Sequence, residues 1–169
     1  TLAGHSAAVT SVSFSINGKY VASASDDSTA IVWDVSTGTQ TAKLTARRLG
    51  WPDLAKGKAM IVGATGAIGS VCSRLLAAAV KDVVLVSIEP DRLSALKQKI
   101  LAEVPGATVE TDLTTNRWVG ECDLIVTATS AFGQRVLDVS QCKPGAVILD
   151  VALPPDISEE EAAVRPDVI

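Results

Sequence analysis

The chain has 169 residues, of which 47% are hydrophobic and 20% charged, and its net charge is −4. That is globular composition rather than that of a disordered chain, with enough apolar material for a core. It also argues against an open nucleic-acid surface, because displacing counterions takes a basic stripe, and the only adjacent cations are Arg47-Arg48.

Three cysteines occur, Cys72, Cys122 and Cys142, with no C-x-x-C pair and a single histidine. No zinc site is expected, and the odd, widely spaced cysteines suit a reducing compartment. The apolar run Leu75 to Val80 is far too short to span a bilayer. The start, Thr1-Leu2-Ala3-Gly4-His5, has neither a signal-peptide pattern nor an initiator Met. A fragment or processed chain in the cytoplasm is the expectation.

Residues 1–44 read as short strands between turns. Val9, Ser11, Ser13 and Ser15 alternate with Thr10, Val12, Phe14 and Ile16, and Asn17-Gly18 supplies a turn. Tyr20 to Ser25 is a second strand, Asp26-Asp27-Ser28 a turn, Thr29 to Asp34 a third strand, and Ser36-Thr37-Gly38 a further turn. Only Thr41 to Leu44 could supply a fourth. Gly4-His5 at the start and Trp33-Asp34 at the end resemble one WD repeat, the unit of a β-propeller blade. The resemblance implies a bracing hydrogen-bond chain through His5, Ser23, Asp27 and Trp33, so His5 is expected to be structural rather than catalytic. One blade is not a propeller. Further blades upstream, a chimeric chain, or a blade folded back onto the second domain would each satisfy it.

Residues 45–57 form a connector. Within it, Asp53 to Lys56 could make one helical turn, and Trp51 and Leu54 could cover a neighbouring apolar patch. From Lys58 the pattern becomes strand, glycine loop, helix. Ala59-Met60-Ile61-Val62 is a continuous apolar run, as in a strand buried on both faces. Gly63-Ala64-Thr65-Gly66-Ala67-Ile68-Gly69 follows at once, and Ile68, Val71, Cys72, Leu75, Leu76 and Ala79 then recur at helical spacing. A glycine triplet that leaves a buried strand and opens a helix predicts a dinucleotide site. Gly63 would permit the tight turn, Gly66 the approach of a pyrophosphate, and Gly69 close packing of the helix, while the helix start offers N–H groups to the phosphate.

Val83 to Ile88 is the next strand, with Ser87 near its end as a further candidate contact. Glu89 lies twenty positions after Gly69, where an acid meets the adenosine ribose of NAD. Arg92, one helical turn further, could instead meet the extra phosphate of NADP; NAD is favoured slightly, and the choice stays open. Pro90 opens a helix whose buried stripe is Leu93, Leu96, Ile100 and Leu101. Thr108 to Thr111 is a third strand with Asp112 near the adenine. Asp123 to Thr129 is a fourth, whose end, Ala128-Thr129-Ser130, should face the glycine loop and receive the nicotinamide ribose. Phe132 to Val139 is expected to be helical. Ala146 to Val151 is a fifth strand, and Ser158 caps a final acidic turn, Glu159-Glu160-Glu161. The fold class expected is α/β, a Rossmann-like parallel sheet of order 3-2-1-4-5 over residues 58–169, preceded by a small antiparallel blade.

Residues 58–169 resemble the nucleotide-binding domain of the family that includes bacterial long-chain acyl-carrier-protein reductases. The shikimate-dehydrogenase and glutamyl-tRNA-reductase groups share this domain type. The resemblance rests on the glycine loop, Asp91-Arg92-Leu93, Asp123 to Val126 with Thr129-Ser130, and Lys143 to Ala152 with Pro154-Pro155. It implies reduction of a fatty acyl thioester to an aldehyde by a nicotinamide cofactor. The acyl-accepting cysteine would come from a segment beyond Ile169, so no catalytic residue is assigned; Cys142 is expected to be the most exposed of the three. The resemblance favours NADPH, but Ile88 stands where a basic residue would help. Two other readings stay open: a protein-interaction module using the blade, and a fusion without joint function.

Overall fold

The computed structural model describes residues 2–14, 18–27, 29–45, 56–131, 134–152 and 154–168. Four antiparallel strands come first, β1 (Val9–Phe14), β2 (Tyr20–Ser25), β3 (Thr29–Asp34) and β4 (Gln40–Thr45), paired in chain order. Gly18 and Gly38 adopt positive φ at two of the turns, as glycine does at no steric cost. Asp34 fixes the β3–β4 turn, its Oδ1 accepting from the N–H groups of Ser36 and Thr37.

One blade face carries Val21, Ile31 and Trp33, all nearly inaccessible. The N-terminal segment lies across it, so close that a Cβ on Gly4 would stand 2.7 Å from the Trp33 ring. The chain of polar groups expected of a WD repeat is present. The Trp33 indole donates to Ser23 Oγ at 2.8 Å, His5 Nε2 lies 2.7 Å from that oxygen, and His5 Nδ1 lies 3.1 Å from Asp27. Thr29 Oγ1 and the Ser6 N–H also donate to Asp27, at 2.6 and 2.7 Å, a reinforcement the sequence reading missed.

Burial works against ionisation of Asp27, but the hydrogen bonds from Thr29, Ser6 and His5 outweigh it and hold this carboxyl well below the ordinary range. A depressed folded pKa gives stability that is present above the unfolded value and lost as pH falls toward the folded one. The blade is therefore expected to hold constant stability from neutral pH down to about 4 and to loosen below it. Near-ultraviolet circular dichroism against pH measures this, and Asp27→Asn should shrink the acid-dependent step, leaving the part that Asp34 contributes through its bonds from Ser36 and Thr37.

The second sheet is parallel. Its strands are β5 (Lys58–Val62), β6 (Asp82–Val86), β7 (Thr108–Asp112), β8 (Leu124–Thr127) and β9 (Val147–Asp150), in the spatial order β7-β6-β5-β8-β9. That is the order 3-2-1-4-5 read from the sequence. Helices α1 (Ala67–Ala79) and α2 (Pro90–Glu103) connect β5 to β6 and β6 to β7. One sheet face packs on Cys72, Leu76, Leu93 and Ile100 of these helices. The other packs on Trp118, Val119, Cys122, Leu137 and Cys142.

The blade rests on α1. Val71 and Leu75, on the helix face turned from the parallel sheet, pack on Ala22 and Val32, with Tyr20 and Ala24 at the rim. Among the arrangements open to a lone blade, this is the folded-back one. The short helix α3 (Glu159–Ala163) is the last element among the described residues, with a complete capping box between Ser158 and Glu161.

Three expectations need correction. Residues 134–138 are not helical; only Val139–Gln141 form a single 3-10 turn, capped by Asp138. Cys142 is buried rather than exposed, and burial raises its thiol pKa. Asp112 does not face the groove, because its carboxylate accepts from Trp118 Nε1 at 2.9 Å and from the Thr114 N–H. Arg47, Trp51, Leu54 and the expected turn residues Asn17 and Ser28 lie outside the described residues.

Thr127, at the end of β8, is fully buried, and its hydroxyl has no partner among the described residues. An unpaired buried hydroxyl costs about 1–3 kcal/mol. Thr127→Val keeps the shape and removes that cost. It is expected to raise unfolding stability by about 1 kcal/mol in urea denaturation.

Candidate nucleotide-binding site

The glycine loop leaves β5 and folds back under its neighbours. Both Gly63 and Ala64 donate their N–H groups to the Val86 carbonyl, at 2.9 and 3.0 Å, so the loop hangs from the end of β6. Gly63 has φ 80°, and a Cβ there would lie 2.6 Å from the Ala128 carbonyl oxygen. Two independent constraints thus demand glycine at that position. Gly69 closes the loop: a Cβ would stand 2.8 Å from the Gly63 carbonyl carbon and nearer still to its oxygen. Gly66 is the N-cap of α1 in an ordinary extended conformation, so no backbone strain requires glycine there. Its bareness leaves the helix start open to a ligand. The first turn of α1 carries no side-chain cap and no acidic residue, which leaves the positive end of the helix dipole uncompensated.

Beside this loop runs a groove of about 760 Å³ along the carboxyl ends of the strands. Gly63, Thr65, Gly66, Ser87, Glu89, Ala128, Thr129 and Ser130 line it, so most of the predicted site residues are brought together. Ala64 is buried in the core and Ile68 packs toward it, so neither side chain faces the groove. Ala67 and Gly69 belong to the first turn of α1, outside the lining. Arg92 reaches the site from α2: one guanidinium nitrogen donates to both Glu89 oxygens, at 2.8 and 2.9 Å, and the other donates to the Thr65 carbonyl at 2.8 Å.

Thr129 is already engaged. Its N–H and hydroxyl both donate to Asp156, and its oxygen accepts from the Ala131 N–H. It has no proton left to donate, though its oxygen can still accept, and Ser130 stands beside it in the groove wall. The sequence reading missed Asp156 and the stretch Leu113 to Asn116; that stretch and Ile88 also line the groove. Ile88 is 88% exposed and Leu113 53%. A largely polar stretch, Thr114 to Asn116, just past the carboxyl end of β7 was the available signal.

Hydrogen bonds from Thr65 and Arg92 hold the Glu89 carboxyl below its ordinary range, so it is charged at neutral pH. Burial pushes the Cys72 and Cys122 thiols up to about 12. Among the described residues there is no cluster of three or more potential metal ligands, and no helix long and apolar enough to cross a membrane.

A family model for shikimate / quinate 5-dehydrogenase matches residues 43–167, more than half of the chain. The chain belongs to the shikimate / quinate 5-dehydrogenase family. A second model, for the WD domain G-beta repeat, matches residues 1–34. Quinate dehydrogenase from Corynebacterium glutamicum, solved in complex with NAD, has the same fold; it is 22% identical with a TM-score of 0.55, over 68% of this chain and 44% of that one. An aminotransferase, PigE, from Serratia sp. (strain ATCC 39006) is 35% identical over 114 residues, 64% of this chain and 12% of its own length. The vegetative incompatibility protein HET-E-1 of Podospora anserina is 54% identical over 39 residues, 23% of this chain and 3% of its own length. The chain therefore spans less than half of each of these relatives. The family domain is of the Rossmann-like, NAD(P)-binding kind, joined here to a WD repeat.

Proposed function

We propose that residues 58–169 are the cofactor-binding domain of a nicotinamide-dependent oxidoreductase, that residues 1–44 are a single blade, and that residues 45–57 link the two. The loop from Gly63 to Gly69 carries this reading, because it is bare of side chains where a pyrophosphate would sit and opens directly onto an uncapped helix start. Gly63 to Gly69 would hold the pyrophosphate, Ser87, Glu89 and Arg92 the adenosine ribose, and Ala128, Thr129 and Ser130 the nicotinamide end. The cofactor supplies hydride when bound; the chain's own groups bind and orient it.

The reaction suggested by the acyl-carrier-protein-reductase resemblance is transfer of that hydride to the carbonyl carbon of a fatty acyl thioester, with the thiol leaving and an aldehyde formed. All three cysteines here are buried, and a buried thiol is a poor nucleophile. An acyl-accepting cysteine would come from another segment. Calorimetric titration of the whole chain with NADH and with NADPH tests the binding reading: saturable heat with at least one supports it, and no heat up to millimolar concentration with either overturns it.

A second reading, that the blade is a contact surface for another protein, is favoured by Val12 and Phe14, exposed at 57% and 61% on β1. A Val12→Ser, Phe14→Ser double variant would lose a partner that the wild type retains.

A further inference from the structure

The residue at the centre of the glycine loop is tied to the acid across the groove by a closed circuit of hydrogen bonds. The Glu89 N–H donates to Ser87 Oγ at 3.4 Å, Ser87 and Thr65 share a hydrogen bond of 2.6 Å, and the Thr65 hydroxyl donates to Glu89 Oε2 at 2.6 Å. Thr65 has one proton and spends it on the carboxylate, so Ser87 is the donor in the middle bond. The donors run one way round, from the Glu89 backbone through two hydroxyls to the Glu89 side chain, an arrangement in which each bond polarises the next. Thr65 and Ser87 are only 5% and 7% exposed, so water competes poorly for either hydroxyl.

This circuit settles which way Glu89 points. Oε2 is filled by Thr65 and Arg92, while Oε1 accepts from Arg92 alone. A carboxylate oxygen accepts about two hydrogen bonds, so Oε1 keeps one free acceptor position. Glu89 stands at the end of β6, from which an acid meets a ribose 2′-hydroxyl. A 2′-phosphate in the same place would instead confront a fixed negative charge. Arg92 is committed to Glu89 and the Thr65 carbonyl, so it would meet that phosphate with the carboxylate charge held beside it.

We infer that Thr65 is a positioning residue for cofactor choice: its hydroxyl, fed by Ser87, aims the Glu89 carboxylate so that the site takes NAD(H) in preference to the 2′-phosphorylated form. This rests on the proposed cofactor site. Without the hydroxyl, Glu89 is held by Arg92 alone and can turn out of the groove with it, and Arg92 is then free to meet a phosphate.

The test is calorimetry of the full chain with NADH and NADPH for the wild type, Thr65→Val, Thr65→Ser and Glu89→Gln. The wild type should bind NADH more tightly than NADPH. In Thr65→Val that ratio should fall about tenfold, the worth of one hydrogen bond to a charged group. Thr65→Ser should restore it, and Glu89→Gln, with the hydroxyls intact and the charge removed, should lose it. A wild type that prefers NADPH, or a ratio unchanged in both Thr65→Val and Glu89→Gln, overturns this inference and leaves the binding reading standing. A wild type that binds neither cofactor overturns both.

Discussion

Gly69→Ala should cost about 100-fold or more in affinity for a nicotinamide dinucleotide, equivalent to about 3 kcal/mol. The new methyl group would lie 2.8 Å from the Gly63 carbonyl carbon, with the oxygen closer and the Ala64 Cα 3.0 Å away. All three are backbone atoms, so no side chain can rotate to make room. The loop itself must move, and it is held by two hydrogen bonds to the Val86 carbonyl. Either those bonds or the start of α1 gives way, and both shape the proposed pyrophosphate cradle. Overpacking of this kind costs about 1–3 kcal/mol of fold stability as well. Calorimetry measures the affinity, and urea denaturation shows whether the fold survives. Gly106 is the control: it has open space around its Cβ position, so Gly106→Ala should leave binding unchanged. Wild-type affinity in Gly69→Ala would mean that the loop is not the binding element.

Much of this site was legible in the sequence because its constraints are local. A buried apolar run, glycines at three fixed offsets and a helical stripe fix the strand, the turn and the helix by short-range sterics, and together they give the order of the five parallel strands. The WD repeat was legible for the same reason, since His5, Ser23, Asp27 and Trp33 can be matched residue by residue. What escaped was set by distant partners. Phe132 to Val139 reads as a helix, yet the Asp138 side chain binds the N–H of Ser140, and Leu137 buries itself from a non-helical segment. A competing side-chain bond of that kind opposes helix propagation. Thr129 lines the groove as expected, but Asp156, from a loop 27 residues on, takes both of its donors and leaves only its acceptor side open. Nothing near Thr129 in the sequence announces that partner. Asp112 was likewise drawn away by Trp118, six positions later.

The attachment of the blade was also invisible to local reasoning, and it leads to the second large expected effect. The stripe on α1 is wider than one sheet needs. Cys72 and Leu76 meet the parallel sheet, whereas Val71 and Leu75 are 6% and 7% exposed because Ala22 and Val32 cover them. Leu75→Asp places a carboxylate among those apolar groups. A buried, unpaired charge costs several kcal/mol, more than the contact can supply, so the blade must leave α1. Once free, the blade keeps, among the described residues, only the small cluster of Val21, Ile31 and Trp33 under its N-terminal segment. Four strands with so little buried surface are marginal alone. The parallel sheet should survive, because its own stripe on α1 is untouched. Urea unfolding followed by circular dichroism should therefore show one cooperative transition in the wild type and two in Leu75→Asp, the first displaced by about 3 kcal/mol or more. Ala78 lies exposed on the same helix, and Ala78→Asp should leave the single transition intact. A single transition in both variants would mean that the blade and the nucleotide domain do not depend on each other through this helix.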